Sequence, residues 1–231
     1  EVMSVGRTLE ESLLKAVRSL EIGHFHLHSE KFDDWSQDEL LPYIKEGTDD
    51  RIYAVAQLLR LGCAPETIRD ACAIDLFFID KIKNIVDEER EIKAHPGDLE
   101  VLKDAKQMGF SDREIAALWG VSEIDIFNKR KQEKITPVYK MIDSCASEFD
   151  SYIPYFYSTY EEENESVISG RRKIVVLGSG PIRIGQGVEF DYSTVHAVKT
   201  IRDAGYEAII INNNPETVST DYTTADKLYF E

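Results

Sequence analysis

KIVVLGSGPIRIGQGVEFDY, residues 173–192, is the stretch on which the fold turns. Lys173 to Leu177 is a buried-strand run, and it opens directly into the glycine-rich loop Gly178-Ser-Gly-Pro-Ile-Arg-Ile-Gly-Gln-Gly187. An apolar strand, then glycines, then a helix is how α/β proteins bring bare backbone N–H groups close to an anionic ligand. Downstream, Val195, Val198 and Ile201 mark a helix stopped by Gly205, and Ala208 to Ile211 reads as a second strand. The turn Asn212-Asn-Asn-Pro-Glu216 and a last strand, Lys227 to Phe230, complete a partial doubly wound unit. Residues 173–231 are too few for several βα units, so the chain reads as a piece of something larger.

Working upstream, residues 136–172 lose helical period and become rich first in aromatics, then in acids. Tyr152, Tyr155, Phe156, Tyr157 and Tyr160 could stack bases, but Glu161, Glu162 and Glu163 stand where a nucleic-acid groove needs cations. The segment is expected to be an extended connector glued down by its aromatic rings, with a mobile loop at Glu161 to Gly170. From Trp35 to about Ile135 the period is helical throughout, with stripes such as Ile52, Val55, Ala56 and Leu59. Within it LGCAPETIRDACAIDLFFI (61–79) aligns with MGFSDREIAALWGVSEIDI (108–126) as an internal repeat. Each copy reads as helix, tight turn, helix, with Pro65 or Ser111 at the first start and Asp75 or Ser122 capping the second helix. Residues 1–22 read as a short strand and a helix, with Thr8 and Glu11 as a capping box.

The fold class is therefore mainly α, a helical domain with two related hairpins, plus a partial α/β Rossmann-like segment at the C-terminus. The expected boundaries are a first segment at 1–22, the helical domain at 23–150, a connector at 151–172 and the α/β segment at 173–231. A composition of 42% apolar and 30% charged residues over 231 positions is globular. The formal charge of −16 disfavours DNA and anionic membrane as partners. No apolar run approaches a membrane span, and a cytoplasmic protein is the default. Cys63, Cys72 and Cys145 are odd in number and widely spaced, as expected of reduced core thiols. His24, His26 and His28 alternate and would share one face if extended, but no Cys, Asp or Glu among them completes a metal site, and none is expected.

The second repeat, FSDREIAALWGVSEIDIFNKRKQEK, resembles the helix-turn-helix of DNA-binding regulators, with Lys129, Arg130, Lys131 and Lys134 at the end of its second helix. A regulator using residues 110–134 is the alternative reading. Against it, Glu123 and Asp125 occupy the turns that should approach phosphate. The glycine loop also departs from a nucleotide fingerprint: Gly178 and Gly180 fit GxGxxG, but Arg183 takes the third position. The acidic ribose ligand is replaced by asparagines, and GxxxxGK[ST] is absent. What the loop offers is Arg183, the Gly185-Gln-Gly187 backbone, and two carboxylates, Glu189 and Glu216, near the crevice where parallel strands end. Those carboxylates could equally cap helices or turns.

GSGPIRIGQGVEFDYS (178–193), followed by NNNPETVSTDYTTADKLYFE (212–231), resembles the opening of the second synthetase half of the carbamoyl-phosphate synthetase large-subunit family. PVYKMIDSCASEF and YFYSTYEEE resemble the connector before that half, and EVMSVGRTLEESLLKAVRSLE the end of the first. The resemblance runs in order along essentially the whole chain and places the repeat region at the family's oligomerisation domain. It implies a pre-ATP-grasp segment at the C-terminus and a parent ligase making carbamoyl phosphate from bicarbonate, ammonia and two ATP, for pyrimidine and arginine synthesis. That parent uses ATP with Mg2+ (or Mn2+) and K+, and a glutamine amidotransferase small subunit as partner. The ATP-grasp domains are not represented in these residues, so no catalytic residue, no cofactor of its own and no independent activity are expected. Self-association through the helical domain is. The family's carbamate tunnel implies that Arg183, Gly187, Glu189 and Glu216 line it, small residues keeping the bore open.

Overall fold

The computed structural model describes residues 2–143, 145, 148–149, 152–178, 184 and 191–230. The chain forms two compact units, Thr8–Ile135 and a second made of the residues up to Arg7 with Thr136 onward.

The helical unit contains α1 (Leu9–Ser19), α2 (Gln37–Tyr43), α3 (Arg51–Arg60), α4 (Pro65–Cys72), α5 (Leu76–Ala94), α6 (Leu99–Met108), α7 (Asp112–Trp119) and α8 (Glu123–Gln132). Their ends are set by the polar residues the sequence places there. The Thr8 hydroxyl accepts from the Glu11 N–H at 3.2 Å, Asp98 accepts from Glu100 and Val101, and Ser122 and Asp125 cap α8 reciprocally. At α1 the Glu11 carboxylate pairs with Lys15, 3.2 Å away. The apolar stripes of these helices meet in one core, where Leu14, Leu58, Ile68, Ile79, Ile85, Ile92 and Ile115 are fully buried. Each such side chain contributes about 1.5–3 kcal/mol on leaving water.

The repeat is built as the sequence indicates. Ala73 and Gly120 occupy the same left-handed position after α4 and α7, at φ 57° and 70°, and Asp75 and Ser122 cap the helices that follow. Gly109, at φ 98°, does more than turn the chain. A Cβ there would stand 2.9 Å from the Glu11 Cα, so the missing side chain lets α1 lie against the α6–α7 turn. Arg18 secures the same contact by donating to the Gly109 carbonyl at 2.8 Å. That contact, with Leu14 and Val17 buried, places α1 in the helical unit, whereas the sequence reading grouped residues 1–22 apart. The expected strand at the start is not there: residues 2–6 carry no strand.

The second unit holds a five-stranded sheet of β1 (Val138–Met141), β2 (Tyr155–Thr159), β3 (Lys173–Leu177), β4 (Glu207–Ile211) and β5 (Lys227–Phe230), with α9 (Tyr192–Asp203) crossing from β3 to β4. The order is β1-β2-β5-β4-β3; β1 and β2 pair antiparallel and the other pairs are parallel. The presumed connector is thus part of the sheet. Its aromatic rings are strand residues: Phe156 stacks on Tyr229 at 5.4 Å and the Tyr155 hydroxyl donates to the Thr220 carbonyl at 2.6 Å. Val198, Ala208, Ile210, Ala225 and Leu228 make a small core between α9 and the sheet. Glu207, buried at the head of β4, faces Lys173 and Lys227 at the heads of the strands flanking it. Burial works to raise its pKa, but the Ser169 hydroxyl and the two lysines outweigh that and hold it below the usual carboxylate range.

Two substitutions of opposite sign test the repeat. Ala73→Gly relieves a left-handed alanine and should stabilise by about 1 kcal/mol, raising Tm by several degrees. Gly109→Ala should lower Tm by more than that, through both φ and the Glu11 backbone. An Ala73→Gly Tm at or below the parent's would contradict the shared turn geometry.

Candidate functional site

The carboxyl ends of the parallel strands are the natural crevice of this sheet. β3 is followed by Gly178, whose N–H donates to the Ile211 carbonyl at 2.8 Å. A Cβ on Gly178 would meet the Asn212 amide nitrogen at 3.0 Å, so the first glycine of the loop is used for close packing of two strand ends. β4 runs into the asparagine turn, where each side chain catches the backbone two residues on. Asn212 Oδ1 accepts from the Asn214 N–H and Asn214 Oδ1 from the Glu216 N–H, both at 2.9 Å. These Asx turns fold the segment back and leave the Glu216 side chain exposed at the rim.

Below that rim lies a residue to which the sequence reading assigned no role. Asp191, the residue before α9, is 1% exposed. Its Oδ2 accepts from the Thr217 hydroxyl at 2.8 Å and from the Ser219 N–H at 2.6 Å. It therefore ties the end of the glycine segment to the loop following β4, and Thr220 Oγ1 closes the same loop onto the Pro215 carbonyl at 3.1 Å. The signal available in the sequence was an acid one residue before a helix, which reads as an ordinary cap. In the structure the carboxylate makes no bond to its own helix N-terminus and bonds a segment 26 residues away instead.

Of the four site residues read from the sequence, Glu216 is in the crevice rim, while Arg183, Gly187 and Glu189 lie outside the described residues. The lysines that might have served an anion, Lys173 and Lys227, are at the opposite, amino ends of the strands and are engaged by Glu207. Among the described residues no group of three or more His, Cys, Asp or Glu could hold a metal ion. The alternating histidines each have a different partner. His26 is buried with Nε2 3.1 Å from the Glu89 carboxylate, His24 Nδ1 lies 3.0 Å from the His28 carbonyl, and His28 Nε2 lies 2.7 Å from Asp33. They stand along one wall of an open cleft of about 580 Å³ that also takes in Lys31, Arg113 and Glu114. Cys63 and Cys72 are buried thiols without a disulfide. No described helix is long and apolar enough to cross a membrane.

The α7–α8 hairpin has the helix-turn-helix form but not its chemistry. Arg130, one of the four cations of the second helix, turns inward and grips Asp112 with two nitrogens, at 2.8 and 2.5 Å. Lys106 shares that carboxylate at 2.9 Å and donates to the Phe110 carbonyl. Burial pulls the Lys106 pKa down to about 8 against the pull of Asp112. The would-be reading helix exposes Ile124 and Phe127, with Glu123 and Asp125 in its first turn. An acidic first turn with exposed apolar side chains between its residues and the basic helix end argues against a phosphate partner.

Two family models match the chain. Residues 1–134 match carbamoyl-phosphate synthetase large chain, oligomerisation domain. The chain belongs to the carbamoyl-phosphate synthetase large-chain family. Residues 170–231 match the carbamoyl phosphate synthase preATP-grasp domain of that family. The family read from the motifs is thus the one the models match, and the helical domain plus partial α/β segment is its architecture here. The oligomerisation-domain match starts at residue 1 and so takes in α1, in keeping with the packing of α1 in the helical core.

The Asp191 tie should be measurable in isolation from any activity. Asp191→Ala leaves a buried hydroxyl and a buried N–H without their acceptor and should cost about 1–3 kcal/mol. Hydrogen exchange should localise the effect, with faster exchange at the Ser219 amide and unchanged protection in α5. Equal exchange at Ser219 in both proteins would refute the tie.

Proposed function

We propose that this chain is the assembly and interdomain segment of a carbamoyl-phosphate synthetase large chain: the helical unit holds large chains together, and the crevice of the sheet unit forms part of a passage for carbamate. The observation that carries the first half is the match of more than half the chain to the family's oligomerisation domain. In this reading the parent is a ligase that makes carbamoyl phosphate from bicarbonate, ammonia and two ATP, for pyrimidine and arginine synthesis. A glutamine amidotransferase small subunit supplies the ammonia, and the protein works in the cytoplasm.

The second half rests on Glu216. Its position at a strand end, held by Asx turns and by the Asp191 tie beneath, suits a wall residue that must stay in place without contacting a reacting bond. Carbamate is an anion, so Glu216 serves by holding a cation or a water in the wall, and Arg183 is the cation proposed for that task. Gly187, which has no side chain to narrow a bore, and Glu189 are proposed to line the same passage.

ATP with its Mg2+ (or Mn2+) and K+ belong to the parent's other domains. The described residues gather no metal-holding group, and their strand-end lysines face the wrong end of the sheet. No step through the nucleotide is derived for this chain.

Self-association predicts a dimer or larger species in sedimentation velocity at micromolar concentration; a strict monomer throughout would sink it. A wall role predicts that Glu216→Ala, placed in an assembled large chain, leaves bicarbonate-dependent ATP turnover near the parent rate. Carbamoyl phosphate formed per ATP should fall severalfold, because carbamate leaks. Equal losses in both rates would end the wall reading.

A further inference from the structure

The two repeats expose apolar side chains at corresponding places. On α5 these are Phe77 and Phe78, 54% and 49% exposed; on α8 they are Ile124 and Phe127, 59% and 43% exposed. Within each helix they head a stripe that continues with charge, and the sign differs between the two. The α8 stripe runs Ile124, Phe127, Lys131 at helical spacing and reaches Lys134 just past the helix end. The α5 stripe runs Phe77, Lys81, Asn84, Glu88, Glu91. Lys81 is already neutralised by Glu10 at 3.2 Å and lies over the Phe77 ring, and among the described residues Glu91 meets only the His95 ring, at 3.3 Å, so the charge left on this stripe without a lysine or arginine is acidic.

We propose that the α8 stripe of one copy docks in parallel on the α5 stripe of a second copy, and reciprocally, in a two-fold dimer. This rests on the self-association reading above and names its surface. Three features select a second copy as the occupant. The first is register: with Ile124 on Phe77, Phe127 reaches the neutralised Lys81, and Lys131 and Lys134 arrive at Asn84, Glu88 and Glu91. The second is charge. Glu88 sits half-buried beside Asp104 and Glu91 without a lysine or arginine partner among the described residues, and burial followed by those like charges pushes its carboxyl up to about 7. A lysine from outside relieves that crowding. The third is reciprocity: one chain carries both the basic end of α8 and the acidic stretch of α5, so a second copy supplies the complement of each locally, although two copies at −16 repel at long range. The isologous arrangement buries both patches on both copies, so no apolar face is left over to propagate.

The experiment is sedimentation velocity of the whole chain at low salt, with circular dichroism to verify that each variant is folded. Ile124→Lys should weaken the dimer at least tenfold. Lys134→Glu and Glu88→Lys should each weaken it severalfold, and the two together should recover most of the loss. If the wild-type chain dimerises but Ile124→Lys dimerises equally well, the proposed surface is wrong while self-association stands. Additive weakening in the charge-reversed pair overturns the register. If the wild-type chain stays monomeric, self-association itself fails and this surface with it.

Discussion

A charged carboxylate buried at Glu89 must be fully paired, and the helical unit is arranged around that requirement. Burial alone would push this group up, but His26, Arg60 and Lys93 surround it and hold it well below the usual carboxylate range. Each partner brings a different segment. His26 carries the stretch between α1 and α2, Arg60 the end of α3, and Lys93 lies one turn along α5 from Glu89 itself. Arg60 goes further and donates to the Leu27 carbonyl at 2.7 Å, so one guanidinium holds both a buried acid and the backbone beside the buried histidine. Ion clusters of this kind add little net stability over an apolar core, yet removing one member strands a charge. Their consequence here is a specific arrangement: α3, α5 and the histidine segment are positioned so that the Glu89 carboxylate meets His26, Arg60 and Lys93 together.

The same logic recurs at Asp112, where Arg130 and Lys106 converge, and it explains why the second repeat is not a reader of nucleic acid. The cations that give the sequence its regulator-like appearance are divided between two tasks. Arg130 is structural and inward, while Lys131 and Lys134 stay outside beside an apolar face. Hairpins duplicated in sequence can therefore share a backbone and differ in what they present. The shared part is the turn, with a left-handed residue and a cap two positions on. The differing part is the outer surface, where the first copy ends acidic and the second basic.

In the sheet unit, the Glu207 ion pairs and the asparagine-turn hydrogen bonds lie at opposite ends of the strands. Glu207, Lys173 and Lys227 neutralise one another at the amino ends, which frees the carboxyl ends for the loops. There the structure depends on short side chains answering backbone groups: Asn212, Asn214, Thr217, Thr220 and Asp191 together define the loop that carries Glu216.

Much of this was legible in the chain itself. The strand at 173–177, the last strand at 227–230, the repeat at 61–79 and 108–126, the caps at Thr8, Asp75, Ser111 and Ser122 and the family all follow from local signals: apolar period, helix-start residues, glycines and long motifs. What could not be read is what depends on pairing between distant segments. Residues 155–159 became β2 because β5 offers a ladder to them, and no periodicity in five residues announces a partner some 70 positions away. Asp191 and Arg130 likewise resemble a cap and a surface cation until the chain folds Thr217 and Asp112 against them. Local backbone preference and hydrophobic period are properties of neighbouring residues, so the sequence by itself determined the helical repeat, the strands from 173 onward and the family. Hydrogen bonds and ion pairs between remote residues exist only once the core has closed, and only the tertiary structure decided which polar groups face inward, which stripes remain open and where Glu216 is held.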